Sequence, residues 1–540
     1  MSRLAFASRF HLAPRQLRLQ RFRGHRRACI AFSASFLLAA IAPAALAAPP
    51  PAPSPRTARF QAQLRALMRL PLYRHAEFGV ALYSLTRRRM LFTWNGQKLF
   101  TPASTTKLVT EGCALRLFGP GFRFHTRFYR AGPLRHGVLH GDLVMVAGGD
   151  PNLSARLQPG GRLSFENWDH SYDGSRYTRA VPGNPLRVLL LIARRLYARG
   201  LRRVTGGIYV DAGLFPEGSR ELGTGVVISP IVVNDNLVDL TIAPGAAAGS
   251  RPQVQFSRDT AAPDGTHTVV LSGSFPAGSP PILYAYAVPQ PSRFAQYAFV
   301  AALRRAGIQA SVPAGDRLSP AALAAESLPR RLLADYVSPP FAAEVRVTLK
   351  VSQNLHASMV PYLEGALLAH RRKNIGRAGF ALERNVLLAA GLDLTGASQS
   401  DGAGGAPAAF FTPDFMARYL AWTARQPYFP WFYRALPVMG RDGTLFNIQT
   451  HSPAAGHVRA KTGTFDAYDA LNRNLMVTGK GMAGYMTTAA GERLCFAFYA
   501  NRVSLPLGGL SQIERTVGNA LGELAGAAYA LPPPRRHAGP

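Results

Sequence analysis

Thr101-Pro-Ala-Ser104-Thr-Thr-Lys107 sets a serine hydroxyl and a lysine amine three residues apart, followed by Leu108, Val109, Cys113, Leu115 and Leu117 and closed by Gly119-Pro120. Residues three apart share one helix face. Pro102 suits a first helical position and Gly-Pro is a stop signal, so the stretch predicts a helix from Pro102 to Phe118, buried by its own apolar side chains. Burial lowers a lysine's pKa, and an amine that can shed its proton beside a serine makes a nucleophile of a weak alcohol. The competing reading is a polar pair on a solvated turn. Composition favours the first. The chain carries 62 Lys and Arg, yet its only lysines are Lys98, Lys107, Lys350, Lys373, Lys461 and Lys480. Arginine stays protonated and cannot act as a base, so where cations are otherwise written as Arg, each lysine hints that an amine matters.

At 540 residues and 47% hydrophobic content the chain can bury several cores, which predicts two to four domains. Eight arginines and no acid precede residue 28; an apolar run from Cys29 to Leu46 and Ala45-Leu46-Ala47 follow, ahead of a Pro-rich stretch. This reads as a secretory signal over 1–48, with an uncleaved anchor as the rival, and implies an exported protein of the periplasm or cell envelope. Cys113 and Cys495 beyond it are too few for a disulfide framework. The eight leader arginines taken from a net +33 leave about +25, which favours anionic surroundings. The charge is spread without basic blocks interleaved with aromatics, so nucleic acid is not the expected partner and an anionic envelope is.

In chain order, 57–69 predicts an amphipathic helix, and Phe78 to Leu85 with Met90 to Trp94 a hairpin around Thr86-Arg-Arg-Arg89. Val138 to Ala147 reads as a strand. Leu186 to Arg199 and Arg293 to Ala306 each read as a helix leading through Gly200 or Gly307 into a strand, two halves of one α/β unit. Between them Val226 to Val233, Leu237 to Ile242, Val254 to Phe256, Thr268 to Leu271 and Ile282 to Val288 predict a small β domain. Helices are expected over Ala342 to Ser352, Leu355 to His370 and 409–425, then strands His457 to Thr464, Met482 to Thr488 and Leu494 to Ala500. Ser511 with Glu514 reads as a capping box opening a last helix to Tyr529. The hairpin and the three late strands would make one antiparallel sheet from both ends of the chain.

Three weak signals then occur in order: Ser104-x-x-Lys107, Ser352-x-Asn354 and Lys461-Thr462-Gly463. Together they resemble the signatures of penicillin-binding proteins. The 244 residues between Lys107 and Ser352 are too long for a loop and must fold. That spacing resembles the class C D-alanyl-D-alanine carboxypeptidases/endopeptidases, in which two domains are inserted between the first two motifs. Gly149-Asp-Pro151, Asn234-Asp-Asn236, Leu436-Pro-Val438, Asp442-Gly-Thr444, Arg459 to Thr464 and Ala483-Gly-Tyr485 resemble the same family.

The resemblance implies an α/β (α+β) fold: a serine β-lactamase/transpeptidase-like domain, its antiparallel five-stranded sheet flanked by helices, split into 56–125 and 335–531. The insertions would be an α/β domain, 126–225 with 289–334, and a small β domain, 226–288; a disordered tail, 532–540, closes the chain. It implies a serine hydrolase of peptidoglycan stem peptides, with β-lactams as covalent inhibitors. Ser104 would be acylated with Lys107 as base, and Ser352 would pass a proton. Asn354, Lys461, Thr462, Gly463 and Thr464 would bind substrate. No cofactor or metal is required. The alternatives are an esterase or β-lactamase-like hydrolase on the same fold, or a catalytically weak wall-binding protein. Two departures stand out: Asp401-Gly-Ala-Gly-Gly-Ala406 lacks the family's two loop serines, and extra residues follow Thr464. Trp168-Asp-His170 with Tyr172 and Asp173 could be taken for a metal or catalytic cluster; a lone histidine in a polar loop reads as structural.

Overall fold

The hairpin around Thr86-Arg-Arg-Arg89 forms in this computed structural model as strands Glu77–Ser84 and Arg89–Trp94, turning at Arg88 with φ 55°. The structure describes residues 55–245, 253–256, 278–313 and 328–533, together with 247, 318 and 324. The leader 1–48, the run Thr268 to Leu271 and the end of the tail, 534–540, lie outside the described residues. Glu77–Ser84 pairs on its other side with Arg493–Asn501, which leads through Asn474–Thr487 to Val458–Asp469 at the edge, every pair antiparallel. This is the five-stranded sheet expected from the two ends of the chain, and Val503–Pro506 adds a short sixth strand. The extra residues after Thr464 are not a loop: they extend both strands of a hairpin that turns between Asp469 and Asn474.

Helices cover both faces because the central strands are apolar on both. Phe60 and Leu64 of helix Ala58–Met68, with Leu521 and Leu524 of helix Asn519–Tyr529, share one core with Val80, Phe496 and Phe498. On the other face Leu108, Val109 and Cys113 pack with Phe415 and Tyr419 of helix Pro413–Thr423 against Ala497 and Tyr499. Each fully buried Leu or Phe contributes roughly 1.5–3 kcal/mol. The helix behind Lys107 runs Thr106–Phe118, starting later than Pro102 predicts; Ala103–Thr105 form a tight helical turn first, and Gly119 ends it at φ 82°. Thr106 to Leu115 are all buried, as in a helix surrounded by protein.

The chain between the first two motifs forms its own sheets. Strands His125–Ala131, Asp142–Val146 and Arg203–Asp211 are neighbours, the last two parallel and joined by helix Arg187–Ala198; Gln309–Ser311, after helix Pro291–Arg305, adds parallel to Arg203–Asp211. Leu332–Val337 pairs with His125–Ala131, with His125 opposite Val337, so the two passages of chain into and out of this region lie side by side. A second sheet has the order Ile282–Ala287, Leu237–Ala243, Gln253–Phe256. Val226 to Val233 corrects the strand expectation. It is interrupted by Pro230, makes only isolated bridges at Val227 and Val233, and is buried by side-chain packing instead. Phe215, Val226, Ile228 and Val232 enter the core of Leu108, Leu355 and Met359, so the packing does not isolate this region from the helices carrying the motifs.

The expected capping box does not form. Gly509 caps Leu510–Ile513 without a side-chain bond, a π turn follows over Glu514–Gly518, and the helix resumes at Asn519. Glu514 has a stronger partner, the buried Lys480 ammonium. Among the described residues no helix is long and apolar enough to cross a membrane.

Candidate active site

Ser104 stands in the tight turn Ala103–Thr105, and Lys107, one turn later, reaches back to it with Nζ 2.7 Å from Oγ. The turn is wedged between two glycines. A Cβ on Gly463 would lie 2.3 Å from Pro102 O and 3.0 Å from Ser104 N; one on Gly404, at φ 85°, would lie 2.1 Å from Ala103 O. Neither position tolerates a side chain without moving the serine. This is a physical reason for the glycine of Lys-Thr-Gly.

Lys107 is fully buried. Its remaining contacts are Asn354 Oδ1 at 2.6 Å, Ala403 O at 3.2 Å and Ser352 Oγ at 3.4 Å, all on uncharged groups. Burial pushes its pKa down to about 8, and the more distant Glu221, Asp401 and Glu111 only partly oppose this. Lys461 is buried too, with Nζ 2.8 Å from Ser352 Oγ and 2.7 Å from Thr462 O. Burial, then Lys107 and Lys480 nearby, holds it well below an ordinary lysine. Ser352 Oγ therefore lies between two amines that are both disfavoured as cations.

Helix Phe341–Val351 ends at Ser352 and helix Asn354–Leu367 begins two residues later, capped by the Gln353 side chain. That geometry sends Ser352 and Asn354 to the same amine. On the facing edge strand Thr462 Oγ1 bonds to Thr444 Oγ1 at 2.7 Å, and Lys350 Nζ holds Asp442, two residues earlier, through both carboxylate oxygens at 2.5 and 2.7 Å. Lys480, directly across from Thr464, donates to its Oγ1 at 2.7 Å. The structure thus brings Ser104, Lys107, Ser352, Asn354 and Lys461 into direct contact, with Gly463 against the serine turn and Thr462 and Thr464 flanking it.

Several participants were not assigned to this site from the sequence: Thr444, Lys350, Lys480, Glu514 and Tyr172, whose hydroxyl donates to the Ser352 carbonyl. A signal for three of them existed. Lys350 and Lys480 are buried like Lys107 and Lys461, while Lys98 and Lys373 are exposed; in this arginine-rich chain the scarce lysines mark the site, and Glu514 comes with Lys480. The altered loop contributes backbone: Ala403 O meets Lys107, Gly402 O accepts from Thr110, and Asp401 accepts from the amides of Gly404 and Gly405. The Ala403 and Ala406 methyls are buried, so they do not line open cleft.

The His170 cluster is an ion network. Its ring nitrogens meet Asp239 at 2.8 Å and Asp235 at 2.7 Å, and Arg156 bonds to both Asp235 and Asp169. Ligand atoms of Asp169, His170 and Asp235 lie within 4.8 Å of one another, a metal-like spacing. The Arg156 guanidinium already supplies the positive charge there, and neither imidazole nitrogen is left to ligate. Beside it a pocket of about 530 Å³ is lined by Trp168, Tyr172, Asp173, Thr224, Leu510 and Ser511.

The chain is similar to known proteins along most of its length. The D-alanyl-D-alanine carboxypeptidase of Actinomadura sp. (strain R39) is 26% identical over 475 residues, 84% of this chain and 82% of that protein. D-alanyl-D-alanine carboxypeptidase DacB of Haemophilus influenzae is 21% identical over 79% of this chain and 85% of its own length. The crystal structure of penicillin binding protein 4 (dacB) from H. influenzae superposes with a TM-score of 0.62 at 19% identity, covering 85% of this chain and 99% of that one, which shows a shared fold. Residues 60–512 match the D-Ala-D-Ala carboxypeptidase 3 (S13) family, and the chain belongs to that family.

Proposed function

We propose that this protein hydrolyses the terminal D-alanyl-D-alanine bond of peptidoglycan stem peptides through an acyl-enzyme on Ser104, and that β-lactams acylate the same hydroxyl. The observation that carries this reading is the 2.7 Å contact between Ser104 Oγ and a fully buried Lys107 whose partners are all uncharged. A neutral amine has two N–H groups and one lone pair. With Asn354 Oδ1 and Ala403 O accepting the two N–H groups, the lone pair faces the Ser104 hydroxyl. Lys107 takes that proton as Oγ attacks the carbonyl of the penultimate D-alanine. Amide N–H groups of Ser104 and Thr464 receive the developing oxyanion, often the largest electrostatic contribution in such reactions. Ser352, between Lys107 and Lys461, relays a proton to the leaving amine. The terminal carboxylate meets Lys461, Thr462 and Thr464, and its arrival favours the ammonium form of Lys461. Water then releases the shortened peptide.

The names of the S13 relatives support this reaction, and the H. influenzae structure complexed with a β-lactam supports the inhibitor class. Residues 56–125 and 335–531 form the catalytic domain in this reading, and the sheets of 126–334 are inserted domains. Cross-linked peptides are further substrates of the same site in this reading. The basic chain works as an exported enzyme in the periplasm or envelope, beside anionic wall polymers. Release of D-alanine from a synthetic pentapeptide, lost in Ser104→Ala, tests the proposal; release that persists in that variant refutes it.

A further inference from the structure

Ser352 closes its helix in the left-handed region, at φ 64° and ψ 36°. A residue with a side chain persists there only when its surroundings hold it. The hold comes from chain that lies between the first two motifs. The Tyr172 hydroxyl donates to Ser352 O and lies 3.3 Å from Asn354 Oδ1. Gln353 accepts from Leu355 N through Oε1 at 2.9 Å and donates from Nε2 to Asp235 Oδ2 at 3.1 Å. Near the start of the same helix, His356 Nε2 donates to Asp235 Oδ1 at 3.0 Å.

Asp235 is built for this task. It is 1% exposed and sits in Asn234-Asp235-Asn236, three consecutive residues at φ 51°, 56° and 55°. Asn and Asp tolerate that region better than other side chains. Here Asn234 Nδ2 ties back to Leu237 O at 3.0 Å and Asn236 Nδ2 to Val227 O at 3.3 Å. Asp235 Oδ2 also accepts from Arg156 Nη2 at 2.5 Å and His170 Nε2 at 2.7 Å. Both histidines are bracketed by carboxylates, His170 by Asp235 and Asp239, His356 by Asp235 and by Glu344 at 2.8 Å. Ionised carboxylates only accept, so both nitrogens of each ring donate and both rings are imidazolium. Burial opposes that charge, but the carboxylates prevail and push His356 up to about 10. The network therefore stays charged across the range in which Lys107 loses its proton.

We propose that Asp235 and Tyr172 are positioning residues for the reaction: they set the Ser352-Gln353-Asn354 loop, and through it the two side chains that contact Lys107. The intervening chain is then part of the catalytic apparatus. This rests on the roles proposed above for Ser104, Lys107 and Ser352.

The test compares full-length wild type with Tyr172→Phe, Asp235→Asn, Asp169→Asn and Ser104→Ala. Acylation by a fluorescent penicillin is measured per folded molecule, with thermal unfolding in parallel. Asp169 belongs to the same buried network, but its bonds run to Arg156 and Ser171 and not to the loop. Tyr172→Phe is expected to slow acylation about three- to tenfold, the weight of one neutral hydrogen bond, with only a small drop in unfolding temperature. Tyr172 lines open cleft and could touch the ligand, whereas Asp235 cannot, so its effect must pass through the loop. Asp235→Asn is expected to slow acylation about tenfold or more, while Asp169→Asn acylates like wild type whatever stability it loses. The proposal is overturned if Tyr172→Phe acylates at the wild-type rate, or if Asp169→Asn and Asp235→Asn slow acylation alike. If Asp235→Asn does not fold, Tyr172→Phe decides the matter. A wild type that takes no label overturns the site reading and this proposal together; a label lost in Ser104→Ala but untouched by Tyr172→Phe overturns the positioning alone.

Discussion

Replacing Lys107 by arginine keeps the charge and should still remove most of the activity. At pH 7 a lysine with a pKa of about 8 is neutral in roughly one molecule in ten, against about three in ten thousand at the ordinary 10.5. Burial without a bonded carboxylate thus enlarges the competent fraction roughly 300-fold. The base form is the deprotonated one, so activity is gained as pH rises through the lowered pKa. Acylation by a neutral β-lactam ester should increase about tenfold per unit between pH 6 and 7.5 and level off above about 8.5. A guanidinium keeps its proton throughout this range. Lys107→Arg should therefore lose about 10²–10⁴ in acylation rate and show no such rise. Lys461→Arg, which still offers a cation to the substrate carboxylate, should lose less and keep the rise. Stopped-flow acylation followed from pH 6 to 9 measures all three. A flat wild-type profile, or a Lys107→Arg rate within tenfold of wild type, would refute the assignment of Lys107 as the base.

Gly463→Ala places a methyl 2.3 Å from Pro102 O, so the serine turn must move; β-lactam acylation should fall at least about tenfold while circular dichroism remains that of the folded protein. Lys480→Met strands Glu514 in a buried site and should cost about 3–5 kcal/mol in denaturant unfolding, much of it recovered by adding Glu514→Gln. Shortening the 458–487 hairpin by removing 467–475, where Tyr468 is 59% and Leu471 90% exposed, should slow cleavage of a cross-linked muropeptide more than release of D-alanine from a free pentapeptide; equal effects on both would remove the hairpin from substrate selection. Ala403→Ser adds a hydroxyl at a side chain only 2% exposed, and should change neither substrate by more than about threefold.

The motifs were legible because their chemistry is local. Ser104 and Lys107 are three residues apart, Ser352 and Asn354 two, and Lys461 to Thr464 are consecutive. The hairpin near the start and the helix-Gly-strand units were legible for the same reason. What joins them was not. The strands His125–Ala131 and Leu332–Val337 make sense only as partners some 200 residues apart, and neither has a strong alternating pattern of its own. Val226 to Val233 has the β-branched composition of a strand, yet its burial comes from side-chain packing in a shared core, a distinction that composition cannot make. Ser511 and Glu514 have capping-box spacing, and a buried ammonium on another strand outcompetes a backbone amide for the carboxylate. Tyr172 meets Ser352 across 180 residues and Asp235 meets Gln353 across 118, so their roles follow from tertiary placement alone.

The proposed reaction requires that one serine, Ser104, become covalently acylated. Incubation with benzylpenicillin, intact-mass measurement and tryptic mapping test it most directly. A single adduct on the peptide containing Ser104, and none in Ser104→Ala, is expected; an adduct on another serine, or one that survives the substitution, would contradict acylation at Ser104.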